Sequence, residues 1–226
     1  MGSEVQGGGG PRGGAEAASA GSDTGRLEAF ADGVMAIAIT LLILDVKVPA
    51  DDGVHTLTYH LLREWPNYVG YAVSFLTIGV IWVNHHHMFK LIERTNHAFL
   101  IINGVFLMAI AFLPWPTAVV AEYLLRKPGD RAAATFTYGL TMVAIAVMFN
   151  VVWRYAIARG LLRPGLDPEG IRRASKNYMA GPTVYGVATV IAPWAPVVSL
   201  GIYAALAVYW LLPGTGPRET LLRSAA

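Results

Sequence analysis

The sequence has no cysteine among its 226 residues and little charge, with Asp, Glu, Lys and Arg making up 14% of it. Soluble domains usually carry roughly 25%. The missing thiols exclude a disulfide-stapled module, a cysteine-ligated zinc finger and a cysteine nucleophile. A formal net charge of +2 leaves no concentrated basic surface, so no nucleic-acid partner is expected. Gly-x-Ser-x-Gly, His-Glu-x-x-His and Walker lysine motifs are also absent, so neither an enzyme nor a cofactor is indicated. What is present is apolar: 54% hydrophobic residues and a mean hydropathy of +0.47 point to a small integral membrane protein.

Runs free of charged residues extend over Trp65–Phe89, Thr95–Ala121, Ala132–Trp153 and Asn177–Pro217. Each of the first three suits one helix through a bilayer core, which takes about 20 residues. The last run is 41 residues long and is broken at Ala192-Pro193-Trp194-Ala195-Pro196. Proline removes backbone donors and disfavours helix before it, so two spans are expected, near Tyr178–Ala192 and Val197–Leu212. A further span, Arg26 to Leu44, is interrupted by Glu28 and Asp32. The fold class is therefore all-α, an integral membrane protein of six transmembrane helices.

Six spans put both termini on one side. Arg12, Arg26, Lys90, Arg94, Arg154, Arg159, Arg163, Arg172, Arg173, Lys176, Arg218 and Arg223 fall on that side, and Lys47, Arg63, Arg126, Lys127 and Arg131 on the other, a split of 12 to 5. The positive-inside rule then places both termini in the cytoplasm of a multi-pass protein of the cell membrane, with the lipid bilayer as its partner. Residues 1–24, rich in Gly, Ala and Ser, are expected to be a disordered cytoplasmic tail. Residues 25–213 form the six-helix membrane domain, and 214–226 a second cytoplasmic tail. The basic stretch Arg154–Lys176 reads as a topology determinant facing anionic lipid.

The first span is the most informative. At 100° per residue, Phe30, Gly33, Ile37, Leu41 and Leu44 share one stripe, with Thr40 beside it. Asp32 is a carboxylate within a span, which costs roughly 3 kcal/mol unless it is partnered or faces water. Arg26 lies six positions away, about 240° around the helix, so the two cannot pair on one face. Asn84, His85, His86 and His87 on the second span, and His97 and Asn103 on the third, are the candidate partners. A polar cluster of this kind would set the rotation of the first helix and so choose which stripe faces a pathway.

Two features imitate other sites. Tyr68-Val-Gly-Tyr-Ala72 and Thr183-Val-Tyr-Gly186 resemble a potassium-channel filter, but both lie in apolar spans and are expected to be helical. His85, His86 and His87 suggest a metal, yet His85 and His87 diverge by about 200° on a helix, so no metal site is expected there.

Arg26-x-x-x-Phe30-x-Asp32-Gly33, followed by Ala-Ile-Ala-Ile-Thr-Leu-Leu, resembles the first-helix signature of the transmembrane protein 175 family. Trp82, His85, His86, Phe89, Arg94, Asn103 and Phe112-Leu-Pro114 are similar to its second and third helices. The resemblance implies a homotetrameric, potassium-selective channel with the first helix of each subunit lining a central pore. It also implies passive conduction through a hydrophobic constriction in place of a carbonyl filter. Its narrowest ring would fall on Ile37, with further apolar rings at Leu41 and Leu44 and a polar layer at Thr40. Arg26, Asp32, His85 or His86, and Asn103 would form a structural polar network. The family's serine between Phe and Asp is Ala31 here, which removes one hydroxyl from that network. The alternative is a proton-coupled secondary transporter using Asp32 and the second-helix histidines. The second three spans show no repeat of the first three, which counts against it.

Overall fold

The computed structural model describes the backbone of residues 12–211 and the side chains of residues 24–211. The expected tail 214–226, and residues 1–11 of the expected tail 1–24, lie outside the described residues. From Arg12 onward the backbone is already helical and continuous with the first helix, α1 (Arg12–Leu41). Alanines at 15, 17, 18 and 20 extend a helix at little cost once the span beyond them has nucleated it. One 3₁₀ turn, Leu42–Asp45, closes α1. There follow α2 (Leu57–Arg63), α3 (Trp65–Phe89), α4 (His97–Phe112), α5 (Pro114–Tyr123), α6 (Pro128–Ala158), α7 (Pro168–Ile191) and α8 (Pro196–Leu211). No strand forms among the described residues; Ile92 and Leu162 make an isolated antiparallel bridge.

The helix starts follow local chemistry. Proline stands in the first turn of α3, α5, α6, α7 and α8, where its missing N–H would have had no intrahelical acceptor. Asn96 caps α4 by accepting from the Phe99 N–H at 2.9 Å. Asp167 caps α7 by accepting from the N–H groups of Glu169 and Gly170 at 3.0 and 2.9 Å. These bonds, that of Glu169 foremost, hold its carboxyl below the ordinary carboxylate range.

Four helical stretches are long and apolar enough to cross a membrane: Thr24–Asp45, Trp65–Phe89, His97–Tyr123 and Pro128–Ala158. The third joins α4 and α5 across Leu113. α7 has 24 residues but carries Glu169, Arg172, Arg173 and Lys176 in its first half, and α8 is apolar but only 16 residues long. Within the basic stretch Arg154–Lys176, α6 runs to Ala158 and α7 begins at Pro168, so the connection between them is short. Both filter-like segments are helical, inside α3 and α7.

α6 is the central post, packed on α4, α5 and α7, while α1 lies against α3 and α4 and α8 against α7 and α3. Phe89, Phe99, Phe106, Met142 and Trp153 fill the core between them. Gly139 of α6 faces the hydrogen-bonded hydroxyls of Thr189 and Tyr203, 3.1 Å apart, and any side-chain carbon there would overlap both. At one end, the connection between α3 and α4 is tied to that between α6 and α7. Glu93 donates its N–H to the Leu161 carbonyl at 2.9 Å, and Arg163 donates to that of Leu91 at 2.9 Å. The Thr24 hydroxyl donates to the Glu93 carbonyl at 3.3 Å, which brings the start of the first span to the same end.

Within α7, Pro182 has no N–H to give the carbonyl of Tyr178, one turn earlier. Asn150 of α6 fills that gap, its Nδ2 donating to the Tyr178 carbonyl at 2.8 Å and to the Ala146 carbonyl of its own helix at 3.0 Å. A buried side-chain amide thus replaces the missing backbone donor, a repair that a proline in an apolar span requires.

Candidate functional site

α1 has two faces. Leu27, Ala31, Met35, Ala38 and Leu42 are buried against α3 and α4, whereas the opposite stripe is left open by the rest of the chain. Phe30 is 61% exposed, Ile37 60%, Leu41 42% and Leu44 69%. Thr40 lies on the same open side, and its hydroxyl donates to the Ile37 carbonyl at 2.8 Å. With its proton engaged inside the helix, Thr40 Oγ1 retains lone pairs for another ligand.

The rotation that opens this stripe is held by a two-rung ladder between α1 and α3. The Trp82 indole N–H donates to Asp32 Oδ1 at 2.9 Å, and one turn away His86 Nδ1 lies 2.6 Å from Glu28 Oε1. Glu28 and Asp32 are four residues apart, as are Trp82 and His86, so each pair shares a helix face. The pairing order runs in opposite senses along the two helices, which makes them antiparallel. The rings of Trp82 and His86 also stack, with centroids 6.0 Å apart.

The remaining network residues do not join this ladder. His85 leaves α3 on another face, fully buried, with Nε2 3.0 Å from Asn103 Oδ1 on α4. An amide oxygen only accepts, so Nε2 carries the proton in this pair. Phe89 and Phe106 flank the ring at 4.3 and 5.6 Å. Arg26 is exposed and forms no ion pair among the described residues. The five-residue cluster expected from the sequence is therefore two separate contacts: Asp32 and His86 lie at the α1–α3 seam, and His85 and Asn103 at the α3–α4 seam. Asp32 takes Trp82 as its partner in place of a histidine or asparagine. Trp82 and Glu28 were missed as partners, although the matched i,i+4 spacing of Glu28/Asp32 and Trp82/His86 was legible. His85 and His86 thus point into different seams.

Removing the indole donor while keeping an aromatic ring tests the ladder. Trp82→Phe is expected to lower stability by about 1 kcal/mol, the scale of one interhelical hydrogen bond in a membrane. Asp32→Leu, which also strands the Trp82 N–H, should cost more than Asp32→Asn, which keeps an acceptor. Thermal unfolding in detergent micelles checks the order; equal losses for the two Asp32 variants would remove the hydrogen bond from the account.

Comparison with known proteins bears on this arrangement. A family model described as endosomal/lysosomal potassium channel TMEM175 matches residues 26–114, the stretch that runs from within α1 through α3 and α4. A protein of Chamaesiphon minutus named as a potassium channel is 45% identical over 194 residues, covering 84% of this chain and 95% of its own. One of Streptomyces collinus, also named as a potassium channel, is 42% identical over 194 residues, with 84% and 92% covered. The crystal structure of a lysosomal potassium-selective channel TMEM175 homolog from Chamaesiphon minutus superposes with a TM-score of 0.76 at 40% identity, covering 91% of this chain and all of that one. On this agreement of sequence and fold, the chain belongs to the TMEM175 family of multi-pass membrane proteins.

Proposed function

We propose that this protein is a potassium channel in which four copies of the chain place their α1 helices around a central axis and conduct passively. The observation that carries this reading is the open apolar stripe of α1. One face of the helix is packed to near-zero exposure, while Phe30, Ile37, Leu41 and Leu44 are left for surfaces outside the subunit. One such stripe cannot enclose a pathway, but four can. Relatives named as potassium channels, matching most of the chain, support the same reading.

In this arrangement Ile37 forms the narrowest ring, with Leu41 and Leu44 as further rings that gate by excluding water. Thr40 supplies the polar layer between them, since its hydroxyl proton is spent on the Ile37 carbonyl and its oxygen can accept a cation. α7 and α8 complete six spans: α7 reaches the membrane through its apolar second half, and α8 spans with flanking residues. The termini are cytoplasmic and the protein resides in the cell membrane. The gathering of Arg26, Lys90, Arg94, Arg159 and Arg163 at the end where Thr24, Glu93 and Leu161 meet supports that orientation.

The test is current through the purified protein in a planar bilayer, with potassium on one side and sodium on the other. A reversal potential displaced toward potassium, with ohmic unitary currents, is the expected result. Silence accompanied by proton-driven cation uptake would instead make the protein a transporter and shift attention to Asp32, Glu28 and His86.

A further inference from the structure

Beyond the seams of α1, a second group of ionisable side chains lies where the chain leaves the first span. Asp52 and His55 stand in the connection between the 3₁₀ turn and α2, and His60 stands in α2. His55 Nδ1 lies 2.8 Å from Asp52 Oδ2, and His60 Nε2 lies 3.3 Å from Asp52 Oδ1. One donor atom from each residue falls within 4.8 Å of the others. From this geometry we infer that Asp52, His55 and His60 form a binding site for a divalent transition-metal ion of the zinc class.

The donor set is two imidazoles and one carboxylate, a combination that zinc accepts in three protein positions while leaving the fourth to water. Zinc–ligand bonds of 2.0–2.1 Å in a tetrahedron put the donor atoms about 3.3 Å apart. His60 Nε2 stands 3.3 Å from Oδ1 and His55 Nδ1 2.8 Å from Oδ2, so the two oxygens of the one carboxylate lie at or inside that spacing from the two rings, and gathering the three groups on one ion is a side-chain adjustment. Calcium or magnesium would want mainly oxygen ligands, which two histidines do not provide.

A plain surface ion pair would leave its histidines hydrogen-bonded or wet. His60 Nε2 is neither: it is buried, with no hydrogen-bond partner, although a carboxylate oxygen is close by. In its neutral form such a nitrogen can serve as a metal ligand. The other members are oriented beforehand. The His55 ring stacks on Tyr59 with centroids 4.2 Å apart. Asp52 Oδ1 accepts the backbone N–H groups of His55 and Val54 at 2.9 and 3.0 Å, which fixes the carboxylate beside both rings. The site lies at the opposite end of α1 from Thr24. Metal binding as such does not depend on the pore; any effect of the metal on current rests on the pore reading.

The experiment is isothermal titration of zinc chloride into the full-length protein in detergent, free of any polyhistidine tag, compared with His55→Gln, His60→Gln and the double variant. One zinc per chain is expected, with affinity falling at least about tenfold in each single variant and no binding in the double variant. Matching size-exclusion profiles show that each variant has folded. Undiminished zinc binding in the folded double variant would put the metal elsewhere and overturn the site, as would no binding to the native protein at millimolar zinc. Current recorded with and without zinc is a separate measurement: a silent channel that still binds one zinc per chain leaves the site standing and removes the pore reading.

Discussion

Ile37→Asn is expected to raise potassium current through the reconstituted channel by about an order of magnitude, the effect of lowering a barrier by ~1.4 kcal/mol. An isoleucine ring gates because water leaves an apolar constriction, and an ion must shed its own shell to follow. A carboxamide at the same position holds water and so keeps the ring hydrated. Ile37 is 60% exposed in the subunit, so the substitution empties no intrasubunit packing and the variant should assemble normally. The ion preference of Ile37→Asn should match that of the native channel if Thr40 supplies the ligands, whereas Thr40→Ala should move the reversal potential toward zero. Single-channel recording under potassium–sodium gradients reads both quantities. An unchanged current from an assembled Ile37→Asn channel would overturn the proposed constriction at Ile37.

Asn150→Leu is expected to destabilise the subunit by about 1–3 kcal/mol, because it strands the Tyr178 carbonyl that Pro182 cannot serve. The consequence peculiar to this geometry is rescue. With Pro182→Ala in the same chain, the new backbone N–H can donate to Tyr178 within α7, and the side chain of Asn150 is no longer needed there. The double variant should therefore recover most of the loss, a non-additivity that a double-mutant cycle of thermal unfolding measures directly. Additive losses would mean that Asn150 stabilises only through its own packing. This site is remote from the open stripe of α1, so ion preference should be the same in all folded members of the cycle.

Long apolar runs and proline positions made the main helices legible, since a bilayer-length stretch without charge has few alternatives to helix and proline punctuates its ends. The break before Pro196 and the helical state of the two filter-like segments were available from residue order alone. The polar contacts were less so. Knowing that Asp32 needs a partner does not say which, because a donor on any neighbouring helix would serve; only the placement of α3 beside α1 brought Trp82 to it. Glu28 looked like a mere interruption until the same packing set it against His86. His85 and Asn103, grouped with Asp32 by residue type, were separated because successive residues of a helix point 100° apart.

The sequence by itself determined that the chain enters a membrane and where its long charge-free helical runs lie. Those properties depend on composition, periodicity and local backbone chemistry, all of which act over a few turns. Only the tertiary structure decided the pairing of Asp32 with Trp82 and the loan of the Asn150 amide to the carbonyl that Pro182 frees. Those depend on relative rotation and register of separate elements, which many side chains set jointly through packing and no short stretch of sequence encodes.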